Sequence, residues 1–140
     1  MPKRSAQAEW AGDLLTGKGK MEFGSFTGPY TFKTRFEDGE AGTNPEELIA
    51  AAHAGCYSMA FSAVLDDAGF KPNSIKTTAE VTVVKSADGF TITKSELHTQ
   101  ADIPGIDEAT FQEKANAAKA GCPVSKALAG VEITLDAKLV

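Results

Sequence analysis

Apolar and small residues fill positions 48 to 52, 54, 56, 59 to 61 and 63 to 65, covering nearly the whole circumference of a helix rather than one stripe. Thr43-Asn44 ahead of Pro45 gives this helix its start: a capping side chain, a proline at the first helical position, and Glu46 and Glu47 facing the positive helix end. The helix is expected to run to about Ala68, where Gly69 supplies a left-handed stop and Pro72 follows. Elsewhere the pattern changes to period two. Ala79, Val81 and Val83 alternate on one side of Ser86-Ala87-Asp88-Gly89, Phe90 and Ile92 on the other, predicting a hairpin over 77–85 and 90–103. Val131, Ile133, Leu135, Ala137 and Leu139 alternate as a final strand. Near the N-terminus, 6–13, 19–26 and 30–37 read as short strands of a meander, with Gly-rich turns at Thr16-Gly17-Lys18-Gly19 and Thr27-Gly28-Pro29. Asp107 can cap a helix over 108–120, with Phe111, Ala115 and Ala118 on one side, and Pro123 restarts a short helix to about Leu128. Helices mixed with mainly antiparallel strands make the class α+β.

A helix that is apolar all round must be covered all round, by two wrapping sheets or by a second subunit, and a homodimer is expected. Leu48 to Leu65 carries no formal charge and approaches membrane-span length, but Ala, Gly, Ser and His fill most of it, so a buried soluble helix is the better account. At 140 residues the chain suits one domain, 1–140. Its 14 Lys plus Arg against 19 Asp plus Glu argue against a nucleic-acid surface, which needs clustered positive charge. No apolar segment follows Met1 to Arg4, so a reducing cytoplasm is the expected compartment.

Composition leaves the chemistry to two cysteines. By position alone Cys56, about three turns into the long helix, is a small core residue. Cys122, just before Pro123 at a helix start, lies near free backbone amides that favour thiolate, so position alone makes it the more acidic thiol. Ionising Cys56 requires a cation from elsewhere in the fold, and Arg35 is the candidate. On a strand, period two would send Lys33 and Arg35 opposite Phe32, Thr34 and Phe36, which a solvated face explains equally well. Glu46 and Glu47 are explained by the helix dipole. His53 shares the face of Cys56 and could be a base, a thiolate partner, a metal ligand or a hydrogen-bonded core histidine. With His98 and both cysteines it would complete a four-ligand zinc set, but no close Cys-Cys or His-His pair supports one.

Several words in the chain, taken together, resemble the OsmC branch of the OsmC/Ohr family, the osmotically inducible or organic hydroperoxide resistance proteins of bacteria. They are residues 30–37, Gly42-Thr43-Asn44-Pro45-Glu46-Glu47-Leu48-Ile49, Ala51-Ala52-His53-Ala54-Gly55-Cys56, Asp67-Ala68-Gly69-Phe70, Pro104-Gly105-Ile106 and Lys119-Ala120-Gly121-Cys122-Pro123-Val124-Ser125. The resemblance implies a cofactor-free thiol peroxidase that prefers organic hydroperoxides to hydrogen peroxide. It implies two long central helices in an intertwined homodimer with active sites at the subunit interface. Cys56 corresponds to the peroxidatic cysteine, Cys122 to the resolving cysteine that forms a disulfide with it, Arg35 to the thiolate-holding arginine and Glu46 to its acidic partner. The reductant is an external dithiol, in the Ohr branch a dihydrolipoyl protein. No role for His53 is carried over.

Helix arithmetic adds a constraint. Glu46 and Cys56 are ten residues apart, about 15 Å on an unbroken helix. The Arg35 and Glu46 serving one Cys56 are therefore expected from the other chain, unless the helix begins later. Tyr57, Met59 and Phe61, near Cys56 in sequence, are candidates to line a pocket for the organic part of the substrate. The competing readings are a non-catalytic dimer that binds an apolar ligand or partner, with cysteines that are buried or act as a slow redox switch, and a structural zinc protein.

Overall fold

The computed structural model describes residues 2–140 and separates them into two compact units, one extending to Leu48 and one from Ile49 to Val140. The first unit is an antiparallel meander of β1 (Gln7–Ala11), β2 (Lys18–Phe23) and β3 (Phe26–Tyr30), followed by the one-turn helix α1 (Phe32–Phe36). Gly19 lies in register between Trp10 and Tyr30. A Cβ there would sit 2.5 Å from the Tyr30 ring and 2.7 Å from the Trp10 ring, so glycine lets these rings close over the strand with centroids 5.4 Å apart.

Two expectations fail in this unit. The β2–β3 turn falls at Gly24-Ser25, and Thr27-Gly28-Pro29 lies within β3, an edge strand where a proline without an N–H is tolerated. Residues 32–36 are helical rather than extended. The Thr31 N–H donates to Thr34 Oγ1 (2.9 Å) and the Thr34 N–H to Thr31 Oγ1 (3.1 Å), a reciprocal cap that starts the turn. Phe32 and Phe36, four apart, then share a helical face with ring centroids 5.0 Å apart, and Thr34 leaves that face for the cap.

Helix α2 (Pro45–Asp67) starts at the unit boundary and has the expected ends. Asn44 Oδ1 accepts from the Glu47 N–H (2.8 Å). At the other end Gly69, at φ 87°, donates its N–H to the Asp66 carbonyl (3.0 Å), and the Phe70 N–H reaches the Leu65 carbonyl (2.9 Å).

In the second unit β4 (Ser74–Ser86) and β5 (Gly89–Asp102) form the expected hairpin. Helices α3 (Glu108–Gly121) and α4 (Pro123–Ala127) lead to β6 (Glu132–Leu139). β6 pairs with β5 in parallel, because the α3–α4 connection carries the chain back to the start of the sheet before it re-enters. Tyr57, Phe61 and Leu65 of α2 meet Leu97 and Ala101 of β5 and Phe111, Ala115 and Ala118 of α3 in one core. The rings of Tyr57, Phe61 and Phe111 follow one another at 5.7 Å spacing, and the Tyr57 hydroxyl donates to the Ala115 carbonyl (3.0 Å).

The opposite face of α2 stays open in the single chain: Ala51, Ala52, Gly55 and Ala63 are exposed, and Met59 is 79% exposed. Among the described residues α2 is also the one helix long and apolar enough, by length and composition alone, to cross a membrane. Phe61 is fully buried at the centre of the aromatic row. Phe61→Ala is expected to destabilise the fold by about 3–5 kcal/mol in urea unfolding, through lost burial and a residual cavity.

Candidate active site

The four predicted site residues fall into two pairs, one in each unit. In the first unit Arg35 clasps Glu46: its Nε lies 3.0 and 3.1 Å from the two carboxylate oxygens and its Nη2 lies 2.7 Å from Oε1. Glu46 is buried, whereas the Arg35 side chain keeps about a third of its surface open, 34%. Local hydrogen bonds set this geometry. The Thr34 hydroxyl donates to the Thr43 carbonyl (2.8 Å) and the Asn44 amide donates to the Thr34 carbonyl (2.9 Å), binding α1 to the start of α2. The guanidinium also lies 5.2 Å from the centre of the Phe36 ring. Beside it Trp10, Leu14, Tyr30, Thr31, Phe32 and Phe36 complete a largely apolar cleft of about 280 Å³.

In the second unit Cys56 of α2 and Cys122 at the α3–α4 junction are neighbouring free thiols, each of which shifts the other's ionisation. Pro123 opens α4, which leaves the following amides without helical acceptors and aims them at sulfur. The Val124 amide favours a thiolate at both sulfurs, and the Ser125 amide and hydroxyl favour one at Cys122. Burial pushes the Cys56 thiol up; the Val124 amide opposes this, and the neighbouring Cys122 adds to it. Burial also works against a Cys122 thiolate, but the Ser125 amide, the Cys56 thiol, the Ser125 hydroxyl and the Val124 amide outweigh it, and Cys122 is lowered. Within this unit the Ser125 and Val124 groups thus favour a thiolate at Cys122, while burial and Cys122 disfavour one at Cys56. Accessibility runs the other way: Cys122 is 0% exposed, and Cys56 is only partly covered.

His53 is fully buried, with Nδ1 2.7 Å from Ser95 Oγ and Nε2 2.8 Å from Ser125 Oγ. Both ring nitrogens are engaged, and His98 is a half-exposed side chain beside Asp136, so these two histidines and the cysteines do not gather into a zinc set. Nor do Tyr57, Met59 and Phe61 line a pocket, since Tyr57 and Phe61 are core and Met59 faces outward; the apolar cleft adjoins Arg35 instead. Ser95 and Ser125 are the site residues that sequence reasoning missed. Ser95 has one visible signal, its place in the inward alternation with Leu97, Thr99 and Ala101.

A model of the OsmC-like protein family matches residues 37–136. Peroxiredoxin OsmC of Escherichia coli is 53% identical over 139 residues, covering 97% of this chain and 96% of that protein. Organic hydroperoxide resistance protein OhrB of Bacillus subtilis is 30% identical over the same shares. The crystal structure of that OhrB superposes with a TM-score of 0.72 at 27% identity, covering 96% of this chain and 98% of the other. An organic hydroperoxide resistance protein from Elizabethkingia anophelis superposes at 0.76 and 26% identity over 99% of both chains. The fold and the full-length similarity define a member of the bacterial OsmC and organic hydroperoxide resistance proteins. The chain belongs to the OsmC/Ohr family.

Burial lowers the His53 pKa, so the folded imidazole stays neutral. The unfolded chain takes up its proton near pH 6.5 and the folded chain only at lower pH. This contribution to stability is therefore full above about pH 6.5 and lost as pH falls through that value. Urea midpoints at pH 7.5 and 5.5 are expected to fall more for the wild type than for His53→Gln.

Proposed function

We propose that the chain is a cysteine-based thiol peroxidase that reduces organic hydroperoxides in preference to hydrogen peroxide. The observation that carries this reading is a pair of neighbouring free thiols, a partly accessible Cys56 and a fully buried Cys122. The partly accessible Cys56 can meet a peroxide more readily than the buried Cys122, which supports Cys56 as attacker and Cys122 as resolver. The Cys56 thiolate attacks one oxygen of ROOH, the O–O bond breaks, and the leaving alkoxide takes a proton to become the alcohol. Cys56 is left as the sulfenic acid. Cys122 then attacks that sulfur, hydroxide departs as water, and a Cys56–Cys122 disulfide forms, which an external dithiol such as a dihydrolipoyl protein reopens. No cofactor enters the cycle.

A thiol of pKa near 8.5 is a few per cent ionised at neutral pH, and burial pushes Cys56 further from ionisation, so the first step needs a cation. Arg35 suits this, because its Glu46 clasp leaves guanidinium hydrogens free for sulfur and peroxide. Glu46 holds the guanidinium in place during the attack. α2 runs from Pro45, and ten residues of helix span about 15 Å, which supports an Arg35 and Glu46 supplied to Cys56 by another copy. The reading is therefore a homodimer in which the partner's Arg35 and Glu46 serve Cys56. The open Ala51, Gly55, Met59 and Ala63 face of α2 supports it, as small residues allow close approach of a second helix. A narrow stripe of this kind suits another copy of the chain better than lipid. The apolar cleft beside Arg35 supports a carbon-rich substituent on the peroxide. We read residues 1–140 as one cytoplasmic OsmC-like domain.

The raised Cys56 pKa favours one competing reading, a slow redox switch, if no cation reaches the sulfur. Stopped-flow mixing with cumene hydroperoxide separates the two. Rapid loss of both thiols per chain is expected, and oxidation no faster than a free thiol would refute the peroxidase. Cys122→Ser should stop at one sulfenic acid on Cys56, and Cys56→Ser should abolish the reaction; the opposite pattern would exchange the two roles. Arg35→Ala is expected to slow the first step by about 10²-fold at pH 7, the effect of about two pKa units, and to recover as pH rises toward the thiol's own pKa.

A further inference from the structure

A fully buried thiol that attacks a neighbouring sulfur must lose its proton where no water can take it. The Cys122 residue is 0% exposed, and the groups acting on its sulfur are the Ser125 and Val124 amides, the Cys56 thiol and the Ser125 hydroxyl. Amides only donate, and Cys56 is the atom under attack. The Ser125 oxygen is the remaining acceptor, and it leads further: it lies 2.8 Å from His53 Nε2, and His53 Nδ1 lies 2.7 Å from Ser95 Oγ. These three side chains come from α4, α2 and β5 and are 7%, 0% and 1% exposed. The trio is buried and satisfies itself, with both His53 nitrogens engaged, which holds the Ser125 oxygen in a fixed place beside the imidazole.

We propose that Ser125, His53 and Ser95 form a buried proton relay that takes the thiol proton of Cys122 as its sulfur closes on Cys56, and returns it to the departing hydroxyl. This inference rests on the peroxidase reading with Cys122 as resolving thiol.

The hydrogen-bond directions are consistent before and after transfer. With Cys122 as a thiol, the relay requires its S–H to turn to Ser125 Oγ while the Ser125 hydroxyl donates to Nε2 and Nδ1–H donates to Ser95 Oγ, the latter two pairs lying at 2.8 and 2.7 Å. Transfer moves the Cys122 proton to Ser125 and the Ser125 proton to Nε2. Ser125 then donates to the thiolate, and the imidazolium donates to both serines. The thiolate forms the S–S bond, the C–S–OH bond of the sulfenic acid breaks at S–O, and the hydroxide collects the proton as His53 gives it back through Ser125. One water leaves, no charge remains, and no further oxidant or reductant is used. Ser125 touches the reacting sulfur; His53 and Ser95 act through it as positioning residues. Among the described residues the titratable groups that act on the relay and its sulfur are Cys56 and Tyr57.

The test follows resolution rather than peroxide attack. Full-length wild type, Ser125→Ala, Ser125→Thr and His53→Gln are mixed with one equivalent of cumene hydroperoxide at pH 7. Samples are quenched in time with a sulfenic-acid-trapping dione and counted by intact mass as sulfenic acid or disulfide. Ser125→Ala and His53→Gln are expected to accumulate sulfenic acid, with disulfide formation slowed by about 10–10²-fold. Ser125→Thr, which keeps a hydroxyl, should restore it. At about pH 9, where the thiol ionises unaided, His53→Gln should recover. Glutamine at 53 keeps hydrogen bonds to both serines without carrying a proton, so a purely structural histidine would leave its pH profile unmoved. Wild-type resolution in Ser125→Ala and His53→Gln, no rescue by Ser125→Thr, or no recovery at high pH would overturn the relay. If the wild type forms no sulfenic acid at all, the peroxidase reading itself fails, and the relay with it.

Discussion

A buried sulfur becomes a nucleophile only if something nearby stabilises its negative charge, and α2 gives Cys56 no such group. The helix carries no cation in its length, and the fold around the sulfur makes ionisation harder rather than easier. Much of the rest answers to that constraint. α1 is tied to the start of α2 so that Arg35 is held, already paired with Glu46, with part of its guanidinium free. α4 is opened by a proline so that its amides meet the two sulfurs. The open face of α2, with Ala, Gly and Met at helical spacing, is where a second copy would complete the arrangement.

The two thiols divide accessibility and acidity between them. Cys56 is reachable but reluctant to ionise, and Cys122 is acidic but enclosed. In the proposed cycle a guanidinium brought to Cys56 would make attack fast, and Cys122 would take the second step. The relay through Ser125 and His53 then matters only after the sulfenic acid exists, so attack and resolution are governed by separate groups.

What could be read from the sequence was what local chemistry determines. The caps, bounds and apolar girth of α2, the β4–β5 hairpin and α3 with its Asp107 cap all follow from neighbours within a few positions. α1 was hidden because its alternating residues also fit a strand, and the turn is held partly by Asn44 and Thr43 in the next segment. Gly28-Pro29 resembled a turn because an edge strand tolerates what a central strand does not. The parallel β5–β6 pairing depends on where the α3–α4 connection returns, which no window along the chain contains. In the candidate site the Arg35–Glu46 pairing was legible only through the family resemblance, and the partners of His53 were not legible, because Ser95 and Ser125 stand 42 and 72 positions away.

The central claim is that the cation for one Cys56 comes from the other subunit. Mixed dimers measure it directly: one chain carries Arg35→Ala with Cys56 intact, its partner carries Cys56→Ser with Arg35 intact, and two tags isolate the heterodimer. Each parental homodimer should be nearly silent toward cumene hydroperoxide at pH 7. The account predicts that the heterodimer regains close to half of the wild-type turnover per dimer, because its one intact Cys56 faces an intact partner Arg35. A heterodimer as silent as its parents would contradict it, and would return the arginine to the same chain as the thiol it serves.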